Sequence, residues 1–436
     1  MNEAPFPAQT SLTPSLPPPS PFSAQPRASK TLRRSLEACT AEGLVAEIVG
    51  ACFGSAVLAA WAVELHASPL LLGVLWGLPY FGQLLQLPAL WFTAALGRRR
   101  AAVVTHAFAR QITLPIAILP FVALSLDTKR TIVVALFAIA TLASIIGHNA
   151  WLAWMGELVP ARIRGAYFGR RSALSSVVAT IAALVIAVAL DLARTHAALG
   201  IALAAIIVVR SIAGAFTTML MVRQHDPPGG IPQPHVRDFL EPLADRAFRR
   251  LLAYRAAWGV ATGLAASLSA IFMLRSLGLG FLGVATYTAS VAFLRVLTTP
   301  LWGRTLDRAG ARSVLVTCSL GASVSSCAWV FATSGSSWLI GVDALVSGLL
   351  LSGQELAVFM LPLATAPARR RPLYSATSVL VGGVAYGGAS VLGGALADVV
   401  SMRSVLLSAT LWRVLATVVA MGVGAATIDR TARSRS

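Results

Sequence analysis

Residues 302–312 read Trp-Gly-Arg-Thr-Leu-Asp-Arg-Ala-Gly-Ala-Arg, a charged, glycine-punctuated stretch flanked by two long apolar runs, Phe281 to Leu301 and Ser313 to Ala332. At ~1.5 Å of rise per residue, an apolar run of ~20 residues matches the ~30 Å hydrocarbon core of a bilayer. A helix satisfies its own backbone there, so two such runs joined by a short turn form a membrane hairpin. Gly303 and Gly310 permit backbone angles or close approaches that larger residues forbid. Asp307 is placed to accept hydrogen bonds from the open N-terminus of another helix, while Arg308 and Arg312 stay in the headgroup zone.

The rest of the chain repeats this pattern. Hydrophobic residues make up 56% of the 436 and charged residues only 12%, about half the usual share for a soluble protein. The expected class is an all-α polytopic membrane protein of about twelve spans. Its apolar segments are continuous, which excludes a porin-like barrel of alternating strands. The first six spans run roughly 41–63, 70–96, 101–124, 131–155, 172–192 and 198–221. The second six run roughly 251–274, 281–301, 313–333, 338–365, 374–397 and 404–424.

A net charge of +18 on a soluble chain points to nucleic acid; here it records topology. Lys129, Arg130, Arg194, Arg275 and Arg403 lie in one set of loops, and Arg110, Arg210, Arg255, Arg295 and Arg413 lie within spans. All the other Lys and Arg crowd the alternate loops and the tails, which puts both termini in the cytoplasm. Cys39, Cys52, Cys318 and Cys327 have no metal-ligand spacing and read as small buried hydrophobes.

Four boundaries follow. Residues 1–35, rich in Pro, Ser and Ala, read as a disordered cytoplasmic tail. Residues 36–222 form a first six-helix bundle, and 251–425 a second. Residues 223–250 form a cytoplasmic linker broken at Pro227-Pro228-Gly229-Gly230, with His235 to Arg250 as a surface amphipathic helix. Residues 426–436 form a second tail. The bundles look like copies. Pro160-Ala161-Arg162 with Tyr167 matches Pro367-Ala368-Arg369 with Tyr374, Arg33-Arg34 matches Arg249-Arg250, and Arg210 matches Arg413. These offsets, roughly 203 to 216 residues, indicate a parallel repeat.

The spacing of Gly303, Asp307, Arg308, Gly310 and Arg312 resembles the loop signature of the major facilitator superfamily of secondary transporters, in which it joins the second and third helices of a half. The resemblance covers about 35 to 425 and implies two pseudo-symmetric six-helix bundles around a central cavity. The first-half equivalent reads Leu90, Ala94, Ala95, Gly97 and Arg99, without the acid or the first arginine. Glu157 ends the fourth span with no acid matching it at the end of the tenth, so the cytoplasmic charge network is lopsided.

A charge within a span costs at least ~2.5–3.5 kcal/mol on insertion scales, so it faces a cavity or a partner. Glu47, His148, Arg295 and Glu355 fall in one layer, roughly 9–15 Å above the cytoplasmic boundary. Gly147-His148-Asn149 and Gly353-Gln354-Glu355 occupy matching places in the repeat. In the family the first, fourth, seventh and tenth helices line the cavity, so the resemblance places Glu47, His148, Asn149, Gln354 and Glu355 on helices that face the transport path. Burial favours the neutral form of a carboxyl, which suits Glu47 or Glu355 to carry a proton. The competing reading is a fixed Glu355–Arg295 pair that locks helices together. His148 reads as a proton relay or a packing histidine, and Tyr80, Gln83 and Gln86 as weaker cavity candidates. Asp343, near the outer end of its span, is expected to be solvated. Arg255, near a helix start, is expected to snorkel. Arg110, Arg210 and Arg413 are expected to bond helix-end carbonyls or a neighbouring acid.

The expected function is proton-linked secondary transport of a small solute by alternating access, by symport or antiport, in the cytoplasmic membrane. No cofactor, metal or nucleic acid is implied, and a monomer is expected. No phosphate-binding G-x-x-x-x-G-K-[ST] loop occurs. A non-transporting facilitator-like receptor or scaffold is the alternative. An intramembrane enzyme ranks lower, because the six histidines form no ligand set.

Overall fold

The computed structural model describes residues 26–227, 241–366 and 370–423. Every regular element among them is a helix, and ten helices are long and apolar enough to cross a membrane. Twelve crossings follow once two features are resolved. The longest helical run, Phe281–Phe331, has 51 residues and bends at Gly310, so it crosses twice. A further crossing is built from the shorter pieces Pro69–Phe81 and Gln86–Leu96, joined by the 3-10 turn Gly82–Leu85.

Helix α1 runs Pro26–Ala51 and resumes at Ser55–Glu64, and α2 is the jointed crossing just described. Then come α3 (Arg98–Gln111, continued by Leu114–Phe121), α4 (Leu126–Leu158), α5 (Ala161–Thr195) and α6 (Leu199–Val222). In the second half α7 is Arg246–Ile271 with a π-turn at Phe272–Ser276, α8 is 281–309, and α9 is 311–325 with Cys327–Phe331. Helices α10 (Trp338–Thr365), α11 (Arg371–Val399) and α12 (Met402–Gly422) complete it.

Three boundaries differ from the sequence reading. Helix α1 begins at Pro26, inside the stretch read as tail. Of the helix expected over 235–250, the described part is a short helical turn, Glu241–Ala244, interrupted at Asp245 before α7 starts at Arg246. The rest of that expected helix, Pro228-Gly229-Gly230, Pro367 to Arg369 and both distal tails lie outside the described residues. The charged stretch at 302–312 is helical except at Gly310, which takes φ 81° and ψ 154°. Gly97, its partner in the repeat, takes φ 81° and ψ 141°. Only glycine tolerates such angles cheaply, so both hairpins turn on the same residue type in the same conformation. Gly303 is different: a Cβ there would meet only the Leu356 side chain at 4.0 Å, so it mediates no close helix approach.

The two halves are joined at one end only. Opposite the Gly310 turn, one apolar core takes Leu58 and Trp61 of α1, Leu190 of α5 and Leu203 of α6 from the first half. From the second half it takes Phe272, Phe281, Val284, Trp329 and Leu406. At the face bearing Gly310 the cores are separate: Cys39, Trp154, Met155 and Met221 pack within the first half, and Phe248, Tyr254, Leu315 and Leu361 within the second. The cavity between the halves therefore opens toward the Gly310 face. Around the outside, α5 turns a stripe of Val177, Ile181, Val185, Val188 and Leu192 outward, as a bilayer-facing helix does.

Backbones come very close where α2 crosses α11. A Cβ on Gly73 would collide with the Ser390 carbonyl, one on Gly394 with the Pro69 carbonyl, and one on Gly77 would lie 3.0 Å from the Gly387 carbonyl. Lipid is as apolar as leucine, so helix association in a membrane rests on this kind of tight packing between small residues. Overpacking of this sort costs ~1–3 kcal/mol. Gly73→Leu is therefore expected to lower the unfolding temperature of the detergent-solubilised protein by several degrees. Gly388→Leu, on α11 with nothing within 4 Å of its Cβ position, is expected to leave it unchanged.

Candidate functional site

A cavity of about 490 Å³ opens within the first half, against the space between the bundles. It is lined by Gly50 and Phe53 of α1, Pro79 and Gln83 of α2, His106 and Arg110 of α3, Ser144, His148 and Asn149 of α4, and Arg210 of α6. His148 and Asn149 are thus on the cavity wall. Gly147 is what lets α3 come near: a Cβ there would run into His106 and Thr105. Gly353, its repeat partner, likewise admits Trp302 and Cys318.

The opposite wall carries a second polar group. Tyr80 of α2 and Tyr386 of α11 stack with ring centroids 3.7 Å apart, joining the halves at the cavity floor. Glu355 of α10 forms an ion pair with Arg295 of α8, and both are partly exposed. Glu355 lies within electrostatic reach of Tyr80 and of Arg255 on α7, so it faces the space between the halves. Arg255 does not snorkel. It turns inward to donate to the Ser378 carbonyl of α11 at 3.3 Å, over Gly382, where a Cβ would strike its guanidinium.

Other expected residues sit elsewhere. Gln354 is buried in the second half, donating to the Tyr254 hydroxyl at 2.8 Å, and does not reach the cavity. Glu47 is half-buried between α1 and α5, near Ser175 and Arg171, and does not line the cavity. Asp343 is not solvated. It is 1% exposed and accepts from Tyr287 of α8 (2.8 Å), Trp329 of α9 (2.8 Å) and Ser347 (3.1 Å), tying three helices together. In the Gly310 turn Arg312 donates to the Met421 carbonyl of α12. Asp307 and Arg308 are exposed, and Asp307 has no ion pair among the described residues. Gln86 lies in α2, with its side chain outside the described residues.

Among the arginines within spans, Arg210 and Arg413 bond backbone carbonyls and Arg110 pairs with an acid. Where α1 breaks after Ala51, the Phe53 amide bonds to the Gly50 carbonyl, leaving the Val49 carbonyl without its helical donor. Arg210 supplies one at 3.2 Å, reaches the Ala109 carbonyl in the last turn before the break in α3 (3.3 Å) and donates to the Thr113 hydroxyl (3.2 Å). Its guanidinium lies 4.9 Å over the Phe53 ring. Arg413 repeats this more weakly, bonding the Ala322 carbonyl at 3.4 Å and lying 6.0 Å over Trp258. Arg110 instead pairs with Glu42, whose carboxylate sits between Arg110 and Arg171 at 3.4 Å from each. Sequence reading passed over Glu42, Arg171 and His106. The available signal was Arg110, since an arginine deep in a span requires a nearby acid.

No protein family and no curated protein matches the sequence. Solved structures match its shape. A bacterial homologue of the iron transporter ferroportin, in an inward-facing state, superposes with a TM-score of 0.72 at 14% identity, over 90% of this chain and 99% of that one. The nucleoside transporter NupG gives 0.64 at 10% identity, over 89% and 98%. The E. coli fucose:proton symporter FucP gives 0.57 at 15%, over 89% and 97%. The fold is that of the major facilitator superfamily. Within this major-facilitator fold, the cavity is lined by first-half residues, and Glu355 of the second half lies within electrostatic reach of Tyr80 of the first.

Removing one partner from a buried ion pair costs ~3–5 kcal/mol, whereas an exposed pair is worth ~0–1 kcal/mol. Thermal unfolding in detergent is therefore expected to show Glu42→Gln markedly destabilised, because Arg110 and Arg171 lose their carboxylate together. Arg295→Gln is expected to melt close to the parent chain.

Proposed function

We propose that the chain is a secondary active transporter that carries a small polar solute by alternating access, coupled to protons. The carrying observation is the cavity between two bundles that are joined at one face and apart at the other, with ionisable groups on both walls. Rocking of the bundles about the α2–α11 contact exposes such a cavity first to one side and then to the other. Glu355, held by Arg295 and near Arg255, is the proton carrier on the second-half wall. His148 and Asn149, with His106 behind them, bind the solute on the first-half wall. The cationic surroundings favour a solute rich in hydrogen-bond acceptors. The fold neighbours carry nucleosides, fucose with protons, and metals, so they support transport without selecting a cargo.

The concentration of Lys and Arg at the Gly310 face supports a cytoplasmic orientation of that face and of both termini, in an inner membrane. In this reading the molecule is a monomer of two bundles, 36–222 and 251–425, and the state described opens to the cytoplasm. Uptake of labelled solutes from a panel of nucleosides, sugars and amino acids into proteoliposomes, with and without a pH gradient, tests the proposal. One solute is expected to accumulate only with the gradient, and Glu355→Gln is expected to abolish accumulation while leaving exchange down a solute gradient. Saturable binding with no exchange of any solute would instead mark a receptor.

A further inference from the structure

Opposite the Gly310 face, one contact between the halves differs from the apolar packing around it. Asp191, near the end of α5, places one carboxylate oxygen 2.8 Å from the amide nitrogen of Phe281 and the other 2.8 Å from that of Leu282. These are two of the first open N–H groups of α8, and Gly280, the residue before that helix, has no side chain of its own with which to cap them. A Cβ at Gly280 would lie 2.7 Å from Asp191 Oδ2, so the glycine is what lets the carboxylate in. The Arg194 guanidinium lies 5.9 Å over the ring of Phe281, which is itself fully buried in the core shared by the halves. An anion bonded to two amides at the positive end of a helix is held by both charge and geometry.

We propose that Asp191 is the latch of the face opposite Gly310: its grip on the start of α8 holds that face shut, and releasing it is what lets the bundles rock to the other state. The assignment rests on the alternating-access reading above. The α2–α11 glycine seam packs backbone against backbone, so it serves as a pivot. The Asp191 clasp is polar and small, and it opens by exchanging two amides for water. Hydrogen bonds to a charged group are worth enough to shift a two-state equilibrium by roughly tenfold or more.

The test follows the accessibility of a single cysteine, Ser144→Cys on the cavity wall, in the full chain with the four native cysteines replaced by alanine or serine. The chain is reconstituted in liposomes, and a membrane-impermeant maleimide is supplied from the Asp191 side. Asp191→Ala is expected to speed labelling about tenfold or more and to slow labelling from the other side. Asp191→Asn, which keeps one acceptor and loses the charge, should fall between. Gly73→Leu, which wedges α2 from α11, is the control that opens the same face. Faster labelling in Gly73→Leu with none in Asp191→Ala would overturn the latch and leave the transport reading standing. No labelling from that side in either variant would overturn both, because the chain would then have no state open to that side.

Discussion

A polar group in the middle of a bilayer has only other protein groups to bond, and this constraint organises the interior of the molecule. Several helices are broken: α1 after Ala51, α2 at Gly82–Leu85 and α3 after Gln111. Each break frees backbone groups that water satisfies in a soluble protein. Arg210 answers two of these breaks at once, with its charge spread over Phe53. Asp343 is held by three neutral donors from three helices, and Glu42 by two arginines. The buried charges act as fasteners for irregular backbone as well as candidates for chemistry.

The same constraint separates the fixed parts of the molecule from the movable ones. The glycine seam between α2 and α11 brings backbone against backbone at Gly73 and Gly394, so contact there is carried by the main chain. The face bearing Gly310 has separate cores and exposed charges, Asp307 and Arg308 among them, and nothing described there crosses from one half to the other as Asp191 does at the opposite face. A molecule built this way has one closed end and one open end. Its first-half cavity sets His148 and Asn149 among mostly apolar lining residues.

The repeat was legible in the sequence and is borne out in geometry. Gly97 and Gly310 adopt nearly the same left-handed conformation, and Gly147 and Gly353 each admit a neighbouring helix. The site was only partly legible. His148, whose depth and glycine context could be counted along the helix, lies on the wall of the first-half cavity. Gln354 was assigned to the cavity by the same count, yet one residue is about 100° around a helix, and that rotation carries it into the Tyr254 hydrogen bond. Asp343 and Arg255 were misread because nearness to a span end says nothing of what lies across from it: Tyr287 and Trp329 in one case, Ser378 in the other.

The sequence by itself determined a twelve-span helical membrane chain, its duplication, and the places where it turns, because span length, hydropathy and glycine are properties of a single segment. The tertiary structure alone decided which charges are fasteners and which face the cavity, and at which end the halves are joined. Those depend on the rotation of each helix about its axis and on the partner that rotation meets, and no single segment carries that information.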